Sequence, residues 1–222
     1  MLQAAIFDMD GVLVDSEPIW RRAMVAVFAE VGLNITEKEC AETTGIRIDK
    51  VVEYRYEKSP WKGTSPERTT EMIVEKMVEL IYAEAKPMEG VGHLISLFQS
   101  KGFKIGLATS SPNSIMNATV DKLGLKEVFH SINSAEFEKY GKPHPAIYLK
   151  TAKKLGVEPT DCVAIEDSFY GLLSAKSARM KTIAVPEPAV WEQERFSISE
   201  VKVKNLAEVD ENMLTVLNNA LT

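Results

Sequence analysis

The sequence predicts an α/β protein: a doubly wound parallel sheet with a small all-helical cap domain inserted after its first strand. Three observations predict it. Short apolar runs such as Ala4-Ala5-Ile6-Phe7 and Val163-Ala164-Ile165 end abruptly in polar clusters, as strands buried on both faces do. From residue 89 onward such runs alternate with helical segments of about ten residues, the rhythm of strand–helix–strand units. Between residues 17 and 85 only helical spacing occurs.

Each element follows in turn. Residues 2–7 form the first strand, which stops at Asp8. Residues 17–31 carry Ile19, Trp20, Ala23, Met24, Val27 and Phe28 at helical spacing, and Gly32 terminates them. Thr36-Glu37-Lys38-Glu39 is a capping box for a second helix. A third follows Gly45 through Val51, Val52 and Tyr54. Ser65-Pro66-Glu67 opens a long fourth, with Met72, Ile73, Met77, Leu80 and Ile81 inward. A helix over 91–100 ends at Gly102, and a strand follows over 103–108. Pro112 opens a helix to residue 123, closed by Gly124, and a weak strand falls at 131–134. Helix 143–155, strand 162–165, helix 168–179 and strand 181–185 complete the alternation. Residues 186–196 read as a long loop, and the segment after Asn205 ends in a helix. The expected organisation is a catalytic core of residues 1–16 and 86–222 with a helical cap of residues 17–85.

Composition narrows the function. Of 222 residues, 45% are hydrophobic and 26% charged, which excludes a disordered tail, a collagen or a coiled coil. With 26 Lys+Arg against 32 Asp+Glu, the net charge of -6 disfavours nucleic acid and anionic membranes as partners. A small molecule is the expected partner and a monomer the expected state. Cys40 and Cys162 make neither a disulfide framework nor a metal-ligand spacing. No apolar run of about 18 residues occurs, and no basic leader precedes Asp8. The expected compartment is therefore the cytoplasm.

In open parallel sheets ligands bind beyond the carboxyl ends of the strands. Here those ends carry Asp8-Met9-Asp10-Gly11, Thr109-Ser110-Ser111-Pro112 and Glu166-Asp167-Ser168, with Gly141-Lys142-Pro143 at another loop-to-helix junction. Asp8 and Asp10, two apart on extended chain, aim their carboxylates to one side. Such paired acids need a cation to stay ionised, and Glu166 and Asp167 add hard oxygen ligands of the kind that suit Mg2+. Thr109 to Pro112 sets hydroxyls and free N–H groups at a helix start, where an anion is favoured. Taken singly, Asp10-Gly11 is a turn, Asp167-Ser168 a helix cap and Ser111 an N-cap. Together at one sheet edge, they favour chemistry.

These motifs resemble the haloacid dehalogenase superfamily in its phosphatase form. Asp8 to Ser16 looks like its first motif, and Thr109, Lys142-Pro143 and Glu166-Asp167 match the second, third and fourth in order. Gly45 to Asp49, Pro60 to Gly63 and Gly141 to Pro145 are similar to the β-phosphoglucomutase-like branch, and within it to bacterial 2-deoxyglucose-6-phosphate and hexitol phosphatases. The resemblance implies a Rossmann-like core and a Mg2+-dependent sugar phosphatase. In it Asp8 is the nucleophile that forms an aspartyl-phosphate, and Asp10 the general acid and base. It implies Mg2+ on the Asp8 carboxylate, the Asp10 backbone carbonyl and Asp167, with Glu166 a weaker ligand. It further implies substrate contacts from Asp8, Met9, Asp10, Thr109, Ser110 and Lys142, under a closing cap. The side chain of Met9 is expected in the core. Arg47 either meets substrate or forms a salt bridge with Asp49 or Glu53. Trp20 and Trp61 are expected to pack, and His144 to sit at a helix start. Mutases of this branch carry a histidine on the linker into the cap, where Glu17-Pro18-Ile19-Trp20 has none. A phosphatase is therefore expected over a phosphosugar mutase, and the intact Asp8, Asp10, Thr109, Lys142 and Asp167 argue against a catalytically silent binder.

Overall fold

The computed structural model describes residues 1–43 and 46–220; Gly45, expected before the third helix, lies outside the described residues. Six parallel strands form one sheet in the order β3-β2-β1-β4-β5-β6. They are β1 (Ala4–Phe7), β2 (Lys104–Thr109), β3 (Ser131–Ser134), β4 (Cys162–Glu166), β5 (Lys181–Ala184) and β6 (Val201–Lys202). The first strand lies in the middle, with Phe7 in register with Leu107 of β2 and Ile165 of β4.

Helices cover both faces of the sheet, which is why the central strands β1 and β4 run as continuous apolar stretches, residues 4–7 and 162–165, and do not alternate. On one face Phe7, Leu107 and Ile165 pack with Leu94 and Phe98 of α5 (Val91–Ser100). On the other, the small residues Ala4, Ala108 and Ala164 meet Tyr148 and Ala152 of α7 (Ala146–Leu155). Close approach of α7 explains Gly106: a Cβ there would lie 2.8 Å from Thr151 Cγ2 and 3.1 Å from Leu155 Cδ1.

Between β1 and β2 come α1 (Glu17–Glu30), α2 (Glu37–Ala41), α3 (Ile48–Lys58) and α4 (Pro66–Glu84), then α5. Ile19, Ala23, Val27 and Phe28 of α1 face Ile73, Met77 and Ile81 of α4, all inside the larger core cluster. Trp61 packs as expected, its ring 5.7 Å from Phe28 and 4.8 Å from Tyr56. The capping box forms, Thr36 accepting from Glu39 N–H while the Glu39 carboxylate accepts from Thr36 N–H. Helix α4 also lies along α6 (Asn113–Lys122), where Lys122 Nζ donates to the Tyr82 carbonyl at 2.6 Å.

The departures from expectation are local. Helix α7 starts at Ala146 and not at residue 143, because residues 142–145 make the turn that carries Lys142. Two 3₁₀ turns, Pro188–Val190 and Glu194–Ile198, occupy the stretch read as loop. Strand β6, two residues long, is too short for periodicity to register. The remaining helices are α8 (Phe169–Ser177) and α9 (Glu211–Asn219). Among the described residues no helix is long and apolar enough to cross a membrane.

Candidate active site

The central strand ends at Phe7, and one further ladder bond, Asp8 N–H to the Ile165 carbonyl at 2.9 Å, fixes Asp8 at the sheet edge. The chain then folds back. Met9 O accepts from Leu13 N–H at 2.8 Å, and Gly11 N–H donates to Val14 O at 2.9 Å. Gly11 is required here twice over: its φ is +70°, and a Cβ would lie 2.2 Å from Asp167 Oδ2. The turn sends Met9 fully into the core and Asp10 outward.

Asp10 is gripped by three donors. Its Oδ1 accepts from Ser16 Oγ at 2.5 Å and from the Trp20 indole N–H at 3.3 Å, and its Oδ2 from Ser111 Oγ at 2.7 Å. Trp20 is therefore more than packing, and this corrects the sequence reading. Ser111 is corrected too: it does not cap α6. The first N–H of that helix, on Asn113, goes instead to the Glu136 carboxylate at 3.0 Å.

At the end of β4, Glu166 is fully buried. Its Oε1 accepts from Lys142 Nζ and from Tyr148 OH, each at 2.6 Å, and its Oε2 from Ser168 Oγ at 3.1 Å. Gly171 makes room for this carboxylate, since a Cβ there would lie 2.0 Å from it. Lys142 uses its three protons on Glu166, on Asp8 Oδ1 at 2.8 Å and on the Ala108 carbonyl at 3.1 Å. The lysine is thus fixed with its charge between the two acids.

One oxygen each of Asp8, Glu166 and Asp167 lies within 4.8 Å of the others. Burial pushes Asp8 up to about 7 against the pull of Lys142, with Glu166 and Asp10 adding to the rise. Asp167 is pushed well above the ordinary carboxylate range, by burial first and then by Glu166 and Asp8. Burial works against the Lys142 ammonium, but Asp8 and Glu166 more than offset it and hold its pKa above the ordinary lysine value. Three acids share one cation, and the imbalance calls for a second. An all-oxygen donor set suits a hard divalent ion such as Mg2+.

At the end of β2, Thr109 is fully buried and its Oγ1 accepts from Ser111 N–H at 3.0 Å. Ser110 and Ser111, not Thr109, line the cleft. Asp8, Asp10, Lys142 and Asp167 form the cleft floor, and Trp20, Met24, Arg47, Ile48 and Val51 line it from the α1–α3 side. Met9 and Glu166 are absent from that lining. Arg47 forms the expected salt bridge with Asp49, at 2.6 Å, and also lines the cleft. His144 sits at the start of α7, its Nδ1 accepting from Ala146 N–H at 3.3 Å. Sequence reasoning missed Ser16 and Tyr148. Tyr148 alone left a clue, a phenol on an apolar helix face that must find an acceptor.

Comparison with known proteins agrees with this geometry. The profile of the haloacid dehalogenase-like hydrolases matches residues 5–185. Hexitol phosphatase B of Escherichia coli is 40% identical over 207 residues, 93% of each chain. Among solved structures, CbbY of Rhodobacter sphaeroides in complex with phosphate superposes with a TM-score of 0.87 at 26% identity, over 98% of this chain and 100% of that one. The β-phosphoglucomutase of Clostridium difficile does so with a TM-score of 0.83 at 27% identity, over 98% of both. Matched across most of its length, with the acids at the expected strand ends, the chain belongs to the haloacid dehalogenase-like hydrolases, on their β-phosphoglucomutase-like branch.

Proposed function

We propose that this chain is a phosphatase of small sugar phosphates, hexose or hexitol phosphates such as 2-deoxyglucose 6-phosphate, acting through a phosphoryl group carried on Asp8. The observation that carries the reading is the different setting of two acids at one sheet edge. Asp8 lies at the cleft floor beside Lys142, and Asp10 is held at the same edge by Ser16, Trp20 and Ser111. The names of the similar phosphatases support the same substrate class. Residues 1–16 and 86–222 would be the catalytic core and residues 17–85 a cap that shields the reaction from water.

In the first step an Asp8 oxygen bonds to phosphorus while the bond from phosphorus to the sugar oxygen breaks. Asp10 gives its proton to that departing oxygen. In the second, Asp10 takes a proton from water as the water oxygen attacks the same phosphorus, and Asp8 is released. Three donors hold the Asp10 carboxylate in one orientation, as a base that must meet water needs. The hydroxyls of Ser16 and Ser111 can rotate to accept, so the protonated form is accommodated as well. Lys142 and the Ser110 N–H would meet the phosphoryl oxygens.

A divalent cation would be held by the clustered carboxylates of Asp8 and Asp167, with the Asp10 main-chain carbonyl as the third ligand that the family resemblance implies. Glu166, engaged by Lys142, Tyr148 and Ser168, is better suited to fixing the lysine. Bound there, Mg2+ would shield the phosphoryl charge from the attacking carboxylate. Its binding has a readout apart from turnover. Asp8 keeps its proton to about 7 in the fold, against 3.8 ordinarily, and Asp167 is raised in the same direction. A raised carboxylate pKa means the native state binds the more protons, so the metal-free protein loses stability as pH climbs through that window. Mg2+ needs the ionised forms and competes with those protons. Millimolar Mg2+ is therefore expected to raise Tm by several degrees at about pH 8 and by clearly less at about pH 5. An equal shift at both would contradict the assignment.

The rival reading is a mutase, favoured by the likeness to β-phosphoglucomutase. Incubation with β-glucose 1-phosphate, Mg2+ and a trace of the 1,6-bisphosphate separates the two. Inorganic phosphate is expected to outpace glucose 6-phosphate. The reverse order would make this a mutase.

A further inference from the structure

Among the described residues, Arg47 is the only arginine that lines the catalytic cleft, and its charge is already answered. Asp49, in the first turn of α3, takes the guanidinium in a two-pronged fork, Nε to Oδ1 and Nη2 to Oδ2, each at 2.6 Å. At Arg47, Ile48, Ser110 and Pro112 the cleft continues into a second cavity, faced by Asp49, Glu71, Glu75 and Glu136. Arg47 is the only cation lining that cavity among the described residues. Arg68 pairs with Glu71 and Glu75 at 2.9 and 2.8 Å but does not itself line the cavity.

A phosphate dianion entering there would face a surplus of carboxylates and a guanidinium whose fork is taken. A hydroxyl meets the opposite situation, because it can donate to a carboxylate and accept from the N–H groups the fork leaves over. We propose that the Arg47–Asp49 pair is a specificity determinant: it reserves the far end of the cleft for a hydroxylated, phosphate-free carbon chain and turns away a second phosphate. The inference rests on the phosphatase reading and deepens it, from sugar phosphates to sugar monophosphates.

The test compares kcat/KM for fructose 6-phosphate, fructose 1,6-bisphosphate and an aryl phosphate, with Mg2+, in the wild type, Asp49→Asn and Arg47→Gln. The wild type is expected to prefer the monophosphate roughly tenfold or more, the scale of one unit charge at this range in a partly solvated site. Asp49→Asn removes a negative charge and releases Arg47, so the preference falls by about tenfold, chiefly through a lower KM for the bisphosphate. Arg47→Gln leaves Asp49 unanswered and moves the preference the other way. The two variants are read independently, so a folding defect in one leaves the other decisive. If both retain the wild-type ratio while the aryl phosphate is still hydrolysed, the specificity role is wrong and the phosphatase reading stands. A wild type that prefers the bisphosphate overturns the proposal equally. If the wild type hydrolyses none of the three, the phosphatase reading falls and takes this inference with it.

Discussion

Asp8→Asn is expected to lower turnover of any phosphate ester by roughly 10⁴-fold or more while the protein stays folded. An amide oxygen is a poor nucleophile toward phosphorus, and neither Glu166 nor Asp10 is free to replace it. Glu166 is locked on Lys142 and Tyr148, and Asp10 on its three donors. The fold should tolerate the change, because asparagine keeps the volume and relieves a buried, mutually repelling set of acids. Circular dichroism and thermal melting alongside steady-state kinetics, on freshly purified protein free of deamidation, check both halves. Turnover near that of the wild type would remove Asp8 from the chemistry.

Asp10→Ala is expected to cost roughly 10²–10⁴-fold on sugar phosphates, the usual range for loss of a general acid and base. Its signature should depend on the leaving group. An aryl oxide departs without a proton, so the first step survives on an aryl phosphate while the second, which needs water activated, stalls. The variant should therefore release one equivalent of phenol in a burst and then slow. If steady turnover of aryl and sugar phosphates falls equally with no burst, Asp10 acts on neither step in the way argued here. Ser16→Ala and Ser111→Ala should give weaker versions of the same behaviour, since each removes one of the donors that aim Asp10.

Much of this was legible in the residues. The apolar runs of β1 and β4 marked buried parallel strands, and the acids that end them stand where such sheets bind ligands. The unbroken helical spacing of residues 17–85 marked the insertion. What could not be read is which polar group answers which. Ser111 is 101 residues from Asp10, and Lys142 is 134 from Asp8, so their pairing depends on how the strand ends converge. Ser111 before Pro112 reads locally as an N-cap, yet tertiary approach turned it to Asp10 and gave the cap to Glu136. Trp20 sits on the inner stripe of α1, where an indole usually packs, and nothing local shows its N–H reaching back to Asp10. The burial of Glu166 hides a motif acid behind Lys142 and leaves Asp167 facing the cleft.

Covalent capture tests the central claim most directly. Asp10→Asn loaded with an aryl phosphate and Mg2+, quenched in acid at the end of its burst and digested, should yield a single phosphorylated peptide from the amino-terminal segment, with the phosphoryl group on Asp8. A phosphoryl group on another residue, or a burst with no modified peptide, would contradict the account.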